Sequence, residues 1–374
     1  MSRGSTDELA CAAALVDLPG ITPVRLARLL DGFGPEVAWA AVCAGTHPGD
    51  PDRRFRLAAR GVTPAEVARR YADAGVAVLL PDRVGYPAAL VGDAGAPAVL
   101  CAMGDPSVLE ARPAVAIVGT RSATPYGAKV AGELGMGLAA SGVVVVSGLA
   151  RGIDAAAHNG ALAAGPDAAP PVAVVGTGLD VPYPTQNRAL WHRVAAIGAV
   201  LSEAALGTVA RPRVFPARNR IIAALSDVVV VVESHRGGGS LYTAEAAARR
   251  SIPVCAVPGS VYSRSSSGTN ELLVDGCTPV RDVDDVLAAV ALARQGRGML
   301  PAAPVDVKRR REASRSAPTD RVQRSVWEAV DDTPTPVETV LLRTDLSLAA
   351  LTMAGEELIE AGLLTAGAGW WARA

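Results

Sequence analysis

Residues 143–154, which read VVVVSGLARGID, carry the strongest fold signal in the chain. Four consecutive β-branched residues predict a strand buried on both faces, since a strand with one wet face would alternate apolar and polar side chains. A glycine-containing turn follows, and Asp154 is the candidate N-cap of an Ala-rich helix over 155–162. The stretch therefore predicts one strand–loop–helix unit of a parallel sheet.

Four further apolar runs repeat this pattern: Ala114–Val118, Val172–Val175, Asp227–Val232 and Pro253–Val257. Each run leads into a turn that contains glycine. Strands alternating with helical stretches predict an α/β domain with a doubly wound parallel sheet, covered by helices on both faces. In such a sheet, ligands bind beyond the carboxyl ends of the strands, where helix N-termini offer unpaired amides and a positive dipole.

The 374 residues divide by composition into four parts. Residues 1–75 predict a small helical domain. Its segment 18–23 (LPGITP) resembles a helix-hairpin-helix turn that could hold a phosphate, although we favour a packing domain without a ligand. Residues 76–291 form the predicted α/β domain, and 292–320 form a basic linker that we expect to be mobile. Residues 321–374 predict a winged-helix-like domain of three helices and a β-hairpin.

The C-terminal part is acidic, because residues 331–374 hold seven acidic and two basic side chains. A winged helix that binds DNA normally places its second long helix in a groove. Here that helix carries Glu356, Glu357 and Glu360 and no cation. We therefore favour a protein-contact or structural role for this domain over DNA binding.

The overall composition narrows the class of protein. The 36 basic and 37 acidic residues exclude a polycation, so any affinity for nucleic acid requires a local patch. The five cysteines lie far apart without metal-ligand spacing, which argues against a disulfide framework and a zinc site; we expect no metal and no cofactor. No apolar run fits a signal peptide or a membrane span, so we expect a cytoplasmic protein that contacts no membrane.

The strongest basic element lies between residues 206 and 224, where four arginines and no acidic residue occur: Arg211, Arg213, Arg218 and Arg220. The apolar run that begins at residue 221 places Arg218 and Arg220 at or near a helix start. Two guanidiniums beside a helix dipole make a strong phosphate clamp.

Signatures of catalysis are missing from the sequence. It contains no phosphate-binding loop of the Gly-x-x-x-x-Gly-Lys type, and residues 176–178 (GTG) lack the third glycine of a dinucleotide fingerprint. His158 follows Asp154 by four residues, and we favour a capping or packing role for it over general-base chemistry. Ser147 and Ser240 follow strands, but neither lies in a nucleophile elbow.

Five short motifs occur in order: GTRS at 119–122, SGLARGID at 147–154, GTGLD at 176–180, FPARNR at 215–220 and GSLYTA at 239–244. This series resembles the DNA-processing protein A family, also called DprA or Smf. The resemblance implies an extended Rossmann-like fold, single-stranded DNA binding, a homodimer, and delivery of incoming strands to the RecA recombinase during natural transformation. The apolar stretch Leu272–Val280 is a candidate dimer edge.

The loop positions and the resemblance together define the candidate DNA contacts. By resemblance, Arg121 looks like a phosphate-contacting arginine, and Arg218 and Arg220 look like a clamp. The residues that look like hydroxyl or amide donors are Ser147, Gly148, Gly239, Ser240 and Thr243. We expect bases to splay or to stack on Phe215 or Tyr183. The full predicted set is Gly119, Thr120, Arg121, Ser122, Ser147, Gly148, Arg151, Arg188, Arg211, Arg213, Phe215, Arg218, Asn219, Arg220, Gly239, Ser240 and Thr243.

Two other functions stay open. The chain could be a Rossmann-type nucleotide-binding enzyme similar to nucleoside monophosphate phosphoribohydrolases, because residues 237–245 resemble their glycine-rich motif. The spacing from Thr243 to Glu245 is one residue short of that motif, which makes Glu245 a poor catalytic candidate, and we expect no enzyme activity. The other function is a structural adaptor whose tail binds a partner.

Overall fold

The computed structural model describes residues 6–81, 83–110, 112–211, 214–295, 318, 320–331, 335–344, 346–361, 363–367 and 370–373. The predicted linker 292–320 and the predicted site residue Arg213 therefore lie largely or wholly outside the described residues. Within those residues, no helix has the length and apolar character that crossing a bilayer requires.

Five helices open the chain: α1 (Thr6–Val16), α2 (Pro23–Leu30), α3 (Pro35–Ala44), α4 (Arg54–Ala59) and α5 (Pro64–Asp73). Proline at the first helical position starts α2, α3 and α5, where its missing N–H costs nothing. The Thr22 and Thr63 hydroxyls cap two of these helices.

A nine-stranded sheet forms the centre of the described part of the chain. Its strands are β1 (Ala77–Leu79), β2 (Leu100–Gly104), β3 (Ala114–Val118), β4 (Val144–Ser147), β5 (Val172–Val175), β6 (Ala199–Ser202), β7 (Val228–Val231), β8 (Val254–Ala256) and β9 (Thr278–Pro279). The spatial order is β1-β2-β6-β5-β4-β3-β7-β8-β9. The predicted α/β class with a largely parallel sheet is confirmed, and all five predicted strands are present.

The edge formed by β1 and β2 differs from the prediction of a wholly parallel sheet. Strand β2 runs antiparallel to β6, and β1 runs antiparallel to β2. The other neighbours are parallel, as in the pairings of Ala114 with Val144 and of Val115 with Val228. The α/β fold therefore carries an antiparallel extension at one side.

Seven helices follow in this part: α6 (Pro125–Ala140), α7 (Ile153–Ala163), α8 (Arg188–Ile197), α9 (Val214–Ala224), α10 (Leu241–Ala248), α11 (Ser267–Val274) and α12 (Val283–Arg294). Residues of α9, α10 and α11 pack with Ala116 and Val229 on one face of the sheet. Residues of α6, α7 and α12 pack with Val115 and Val230 on the other face. Burial on both faces explains why the strands are apolar at every position.

The N-terminal helices share a core with the sheet. Leu15, Leu29 and Tyr71 belong to the same buried cluster as Trp191 of α8 and Val200 of β6. These helices therefore cover the part of the second face that α6, α7 and α12 leave free.

The C-terminal residues form α13 (Arg321–Ala329), α14 (Val337–Arg343) and α15 (Leu348–Glu360), with strands β10 (Thr335–Pro336), β11 (Leu364–Gly367) and β12 (Trp370–Arg373). The strands make an antiparallel sheet in the order β10-β12-β11. Val326, Val340, Leu358 and Trp371 form a separate small core. The winged-helix assignment stays a prediction.

Candidate nucleic-acid interface

The strand order creates a crevice at the centre of the sheet. The chain proceeds from β3 through β4 and β5 to β6 on one side, and then returns so that β7 pairs with the free side of β3. The carboxyl ends of β3 and β7 therefore flank the point where strand order reverses, which is where ligands bind in open α/β sheets.

A cavity of about 500 Å³ occupies this crevice. It lies between the loop after β3, the loop after β7 and helix α9. Most of the predicted site residues line it: Gly119, Thr120, Arg121, Ser122, Arg211, Phe215, Arg218, Asn219, Gly239, Ser240 and Thr243. The structure thus brings together residues that are more than a hundred positions apart in sequence.

A second hollow of about 320 Å³ adjoins the first and shares Arg121, Tyr183, Phe215 and Arg218 with it. It adds the predicted residues Gly148 and Arg151. Arg188 is exposed at the start of α8 and lines neither hollow, and the same is true of the buried Ser147 and of Arg220.

Three side chains form a stack between the two hollows. The Arg121 guanidinium lies 4.5 Å from the centroid of the Phe215 ring. The ring centroids of Phe215 and Tyr183 lie 5.6 Å apart, with 34° between the planes. Arg121 is exposed, and among the described residues no carboxylate forms an ion pair with it. The stack therefore presents a fixed positive charge and an aromatic surface to the same solvent space.

Arg218 lines both hollows and is only 5% exposed. Its Nη1 donates to the carbonyl oxygen of Val174, and its Nε has no hydrogen-bond partner among the described residues. A Cβ built on Gly148 would overlap the Arg218 guanidinium, so a larger residue at that position would force the Arg218 side chain to move. Arg218 is therefore a buried cation in the floor of the cavity.

The partner charge of Arg218 is Asp154. Burial raises the pKa of Asp154, and Arg218 opposes that shift. Burial likewise lowers the pKa of Arg218 to about 10, and Asp154 opposes it, so Arg218 stays protonated at neutral pH. Asp154 also accepts from the amides of Gly148 (3.1 Å) and Ala150 (3.4 Å).

The role of Asp154 differs from the predicted N-cap. Helix α7 begins at Ile153 and Gly152 occupies the cap position, so Asp154 lies inside the first turn. Its carboxylate instead holds the preceding loop in place. His158 is buried one turn later, and burial lowers its pKa to about 3, so it is neutral at physiological pH.

Several predicted donors are engaged within the protein. Ser147 Oγ is fully buried and donates to the carbonyl oxygen of Ile117 at 2.6 Å. The Gly148 amide donates to Asp154, and the Thr120 amide donates to the carbonyl oxygen of Glu233 at 2.7 Å. These groups stabilise the loops. The resemblance implied that Ser147 and Gly148 donate to phosphates, whereas the structure engages both donors within the protein.

The loop after β7 leads into α10, whose first turn keeps one donor unused. Ser240 Oγ donates to Ser234 Oγ at 2.9 Å, while the Thr243 hydroxyl is buried and has no partner among the described residues. Asn219 Nδ2 donates to the carbonyl oxygen of the exposed Gly239 at 3.3 Å, which links α9 to this loop. Thr243 is thus a buried group that lines the cavity and retains hydrogen-bonding capacity.

Arg220 departs most from the prediction of a two-arginine clamp. It makes a two-point ion pair with Glu203, at 2.6 and 3.1 Å, and burial raises the pKa of Glu203 while Arg220 lowers it. Helix α9 begins at Val214, so Arg218 and Arg220 both lie inside it and not at its start. Two residues of helix rotate the side chains by about 200°, which points them away from each other.

Two positioning residues were missed by the sequence reasoning. The buried Glu233 accepts from the amide (2.9 Å) and the hydroxyl of Thr124, the N-cap of α6, and so fixes the loop after β3. Asn187 Nδ2 donates to the carbonyl oxygens of Leu149 (2.9 Å) and Ala150 (3.1 Å). An acidic residue two positions after the end of β7 was the available signal for Glu233. No cluster of metal-ligating side chains occurs within the described ranges.

Comparison with known proteins relates the chain to one family. Residues 77–291 match the family model described as DNA recombination-mediator protein A. Protein Smf of Synechocystis sp. is 34% identical over 305 residues, which cover 78% of this chain and 76% of that protein. The putative DNA processing protein DprA of Mycobacterium tuberculosis is 43% identical over 195 residues, covering 52% of this chain and about half (49%) of that protein.

Two solved structures are similar. The X-ray structure of DprA from Streptococcus pneumoniae has a TM-score of 0.65 at 32% identity and covers 75% of this chain and 97% of its own. The structure that describes the single-stranded DNA binding mode of DprA from Helicobacter pylori has a TM-score of 0.51 at 30% identity, covering 58% of this chain and 95% of its own.

Proposed function

The chain belongs to the DNA recombination-mediator protein A family, and from this premise we propose that it binds single-stranded DNA in the crevice between β3 and β7. We propose further that it delivers the strand to the RecA recombinase in the cytoplasm during natural transformation or recombination. The observation that carries the proposal is Arg121, an exposed guanidinium held on Phe215 beside the cavity without an ion pair to a described carboxylate.

The electrostatics of the crevice favour a polyanion. Arg121, Arg151 and Arg211 are exposed and line the two hollows, and the buried Arg218 adds a positive charge from below. Arginine binds phosphate through a planar fork of donors. With Arg188 included, four exposed arginines predict a slope of log K against log salt of about −3, at roughly 0.7 per phosphate on a single strand.

The aromatic stack favours single strands over duplexes. Tyr183 is 40% exposed and stacks on Phe215, so a base could pack against the open part of this surface. An unpaired base has a free face for such stacking, worth about 1–3 kcal/mol per base, whereas bases in a duplex already stack on their neighbours. Because phosphates and stacking carry little sequence information, we expect slight sequence preference.

Fluorescence anisotropy with labelled single- and double-stranded oligonucleotides across a salt series tests this proposal. We expect tighter binding of the single strand, a slope of about −3 and similar affinity for unrelated sequences. Equal affinity for both forms, or a slope near zero, would contradict the proposed binding mode. Assembly of RecA on strands coated with a single-strand binding protein, with and without this chain, tests the delivery step.

We propose that the chain acts without catalysis. Glu245 of α10 forms an ion pair with Arg249, the C-cap of that helix, and Glu245 is not among the residues that line the cavity. An assay of free-base release from nucleoside monophosphates tests this point. Turnover that disappears in Glu245→Gln would favour the phosphoribohydrolase-like alternative.

We propose a homodimer that uses the sheet edge at β9. Val274, at the end of α11, is 88% exposed, and β9 is the last strand of the sheet with a single neighbour. Leu272, Cys277 and Val280 are buried in the subunit, so only part of the predicted stretch Leu272–Val280 is open to a partner. Sedimentation of Val274→Asp tests the proposal, because a buried carboxylate should convert a dimer to monomers.

A further inference from the structure

The N-terminal helices carry a second group of arginines, which we call the N-terminal arginine band: Arg25, Arg28, Arg53, Arg54 and Arg56. Two of them meet at the turn between α1 and α2. Arg25 Nη1 donates to the carbonyl oxygen of Gly20 at 3.1 Å, and a Cβ built on Gly20 would lie 3.5 Å from Arg54 Nη2. Helices α2 and α4 thus bring guanidiniums to one turn.

The other members continue the band. A Cβ built on Gly45 would lie 3.4 Å from Arg53 Cδ and 2.6 Å from Arg56 Cδ, so these two side chains converge on that glycine. Arg28 follows Arg25 by three residues on α2, a spacing that places both on the same helix face. Arg53 and Arg54 are adjacent in the chain, which links the arginines beside Gly45 to those at the Gly20 turn.

Ion pairs do not neutralise the N-terminal arginine band in the described part of the chain. Among the described residues no carboxylate oxygen forms an ion pair with any of the five, although Arg70 and Arg83 of the same region pair with Asp17 and Glu8. Two aspartates directly precede α4: Asp52 is exposed and Asp50 is buried. The two oxygens of Asp50 accept from the amides of Arg54 and Phe55, each at 3.0 Å.

The turn at the centre of the band is exposed and suits an anion. Gly20 has a φ of +75°, and the Thr22 hydroxyl caps α2 by accepting from the Arg25 amide at 3.3 Å. The start of α2 therefore points its positive dipole end toward the place where Arg25 and Arg54 meet. This is the segment that the sequence marks as similar to a helix-hairpin-helix turn.

We propose that the N-terminal arginine band is a second binding surface for the sugar–phosphate backbone of DNA. Five arginines without ion pairs to described carboxylates, two at the Gly20 turn and two beside Gly45, match a polymer with repeated phosphates better than a single small anion. The inference rests on the proposed function only in taking DNA as the polyanion. A long strand would then contact both the crevice and the band, and a short strand only the crevice.

The test compares Arg28→Gln/Arg54→Gln with the matched control Arg69→Gln/Arg264→Gln, which removes the same charge from exposed arginines elsewhere. Anisotropy is measured with an oligonucleotide of about eight nucleotides, the size of one typical single-strand site, and with one several times longer. For the long strand we expect the salt slope to fall by about 1.4, at roughly 0.7 per phosphate, and the control to match the wild type. For the short strand we expect no change.

An equal slope for the band variant and the control on the long strand would overturn the proposal. Thermal melting shows whether the variant folds; if it melts below the wild type, Arg53→Gln/Arg54→Gln provides the same charge change at another pair. Arg121→Gln, measured on the short strand, separates the two hypotheses. Loss of short-strand binding in Arg121→Gln would support DNA binding in the crevice. DNA binding by the N-terminal arginine band is tested by the salt slope of the long strand alone.

Discussion

Replacing Arg218 with Gln should lower the free energy of unfolding, and we expect this effect on stability to exceed any loss of direct contact with DNA. Gln is neutral and shorter, so the carbonyl oxygen of Val174 loses its donor and the carboxylate of Asp154 loses its neighbouring cation. Removing one member of a buried charge pair costs about 3–5 kcal/mol. Because Asp154 keeps two backbone donors, we expect a loss near the lower end, about 3 kcal/mol.

Urea unfolding, followed by tryptophan fluorescence and circular dichroism together, measures this loss as a shift of the midpoint at constant slope. Asp154→Asn/Arg218→Gln is the control. It removes both charges, so it should be more stable than Arg218→Gln alone.

The effect of Arg218→Gln should also depend on pH. Burial raises the pKa of Asp154 and Arg218 lowers it, so the variant raises it further. Below the unfolded pKa of about 3.9 both states are protonated and the extra cost vanishes. As pH rises above this value, the folded variant holds its proton on Asp154 more tightly than the unfolded chain does, so the stability gap from the wild type should widen with rising pH.

The reasoning is refuted if Arg218→Gln unfolds at the same urea concentration as the wild type while its affinity for single-stranded DNA falls. That outcome would make Arg218 a direct phosphate contact. A urea midpoint that is lowered equally at all pH values would instead show that the loss of stability does not depend on the charge of Asp154.

The crevice supports further predictions. Arg121→Gln should leave the melting temperature unchanged and reduce the salt slope for single strands by about 0.7, as anisotropy would show; a slope equal to that of Arg69→Gln would count against it. Gly148→Ala should lower the free energy of unfolding by about 1–3 kcal/mol, because its Cβ overlaps Arg218, and wild-type stability in urea would contradict this. Arg220→Gln should be less stable than Glu203→Gln/Arg220→Gln while leaving the salt slope unchanged, since this arginine faces Glu203; a reduced slope would restore it as a DNA contact.

The sequence was informative wherever local pattern decides structure. The strands β3 and β5 have the predicted bounds, because continuous β-branched runs are buried on both faces of a parallel sheet. Strand β2 (Leu100–Gly104) and strand β6 (Ala199–Ser202) were missed. Their pairing is antiparallel and joins segments about a hundred residues apart, and no local pattern records that partnership.

The arginine clamp failed for a specific physical reason. The apolar run from residue 221 suggested that Arg218 and Arg220 lie at or near a helix start, but proline is tolerated in a first turn and α9 begins at Val214. Both arginines therefore lie inside α9, where a separation of two residues places their side chains on different sides of the helix. In contrast, Arg121 lines the cavity from the loop after β3, where the argument that strand ends in a parallel sheet share one edge expected it.

Because the N-terminal helices and the sheet share a core, the helices cannot be removed without exposing part of that core. Cutting the chain after residue 75 would uncover Trp191 and Val200, which lie in one cluster with Leu15, Leu29 and Tyr71. Such a fragment would expose an apolar face and aggregate unless polar substitutions were introduced there. By the same packing, a ligand held against α2 and α4 would strengthen the core on which β5 and β6 rest, so occupancy at the front of the chain should slow hydrogen exchange in the sheet.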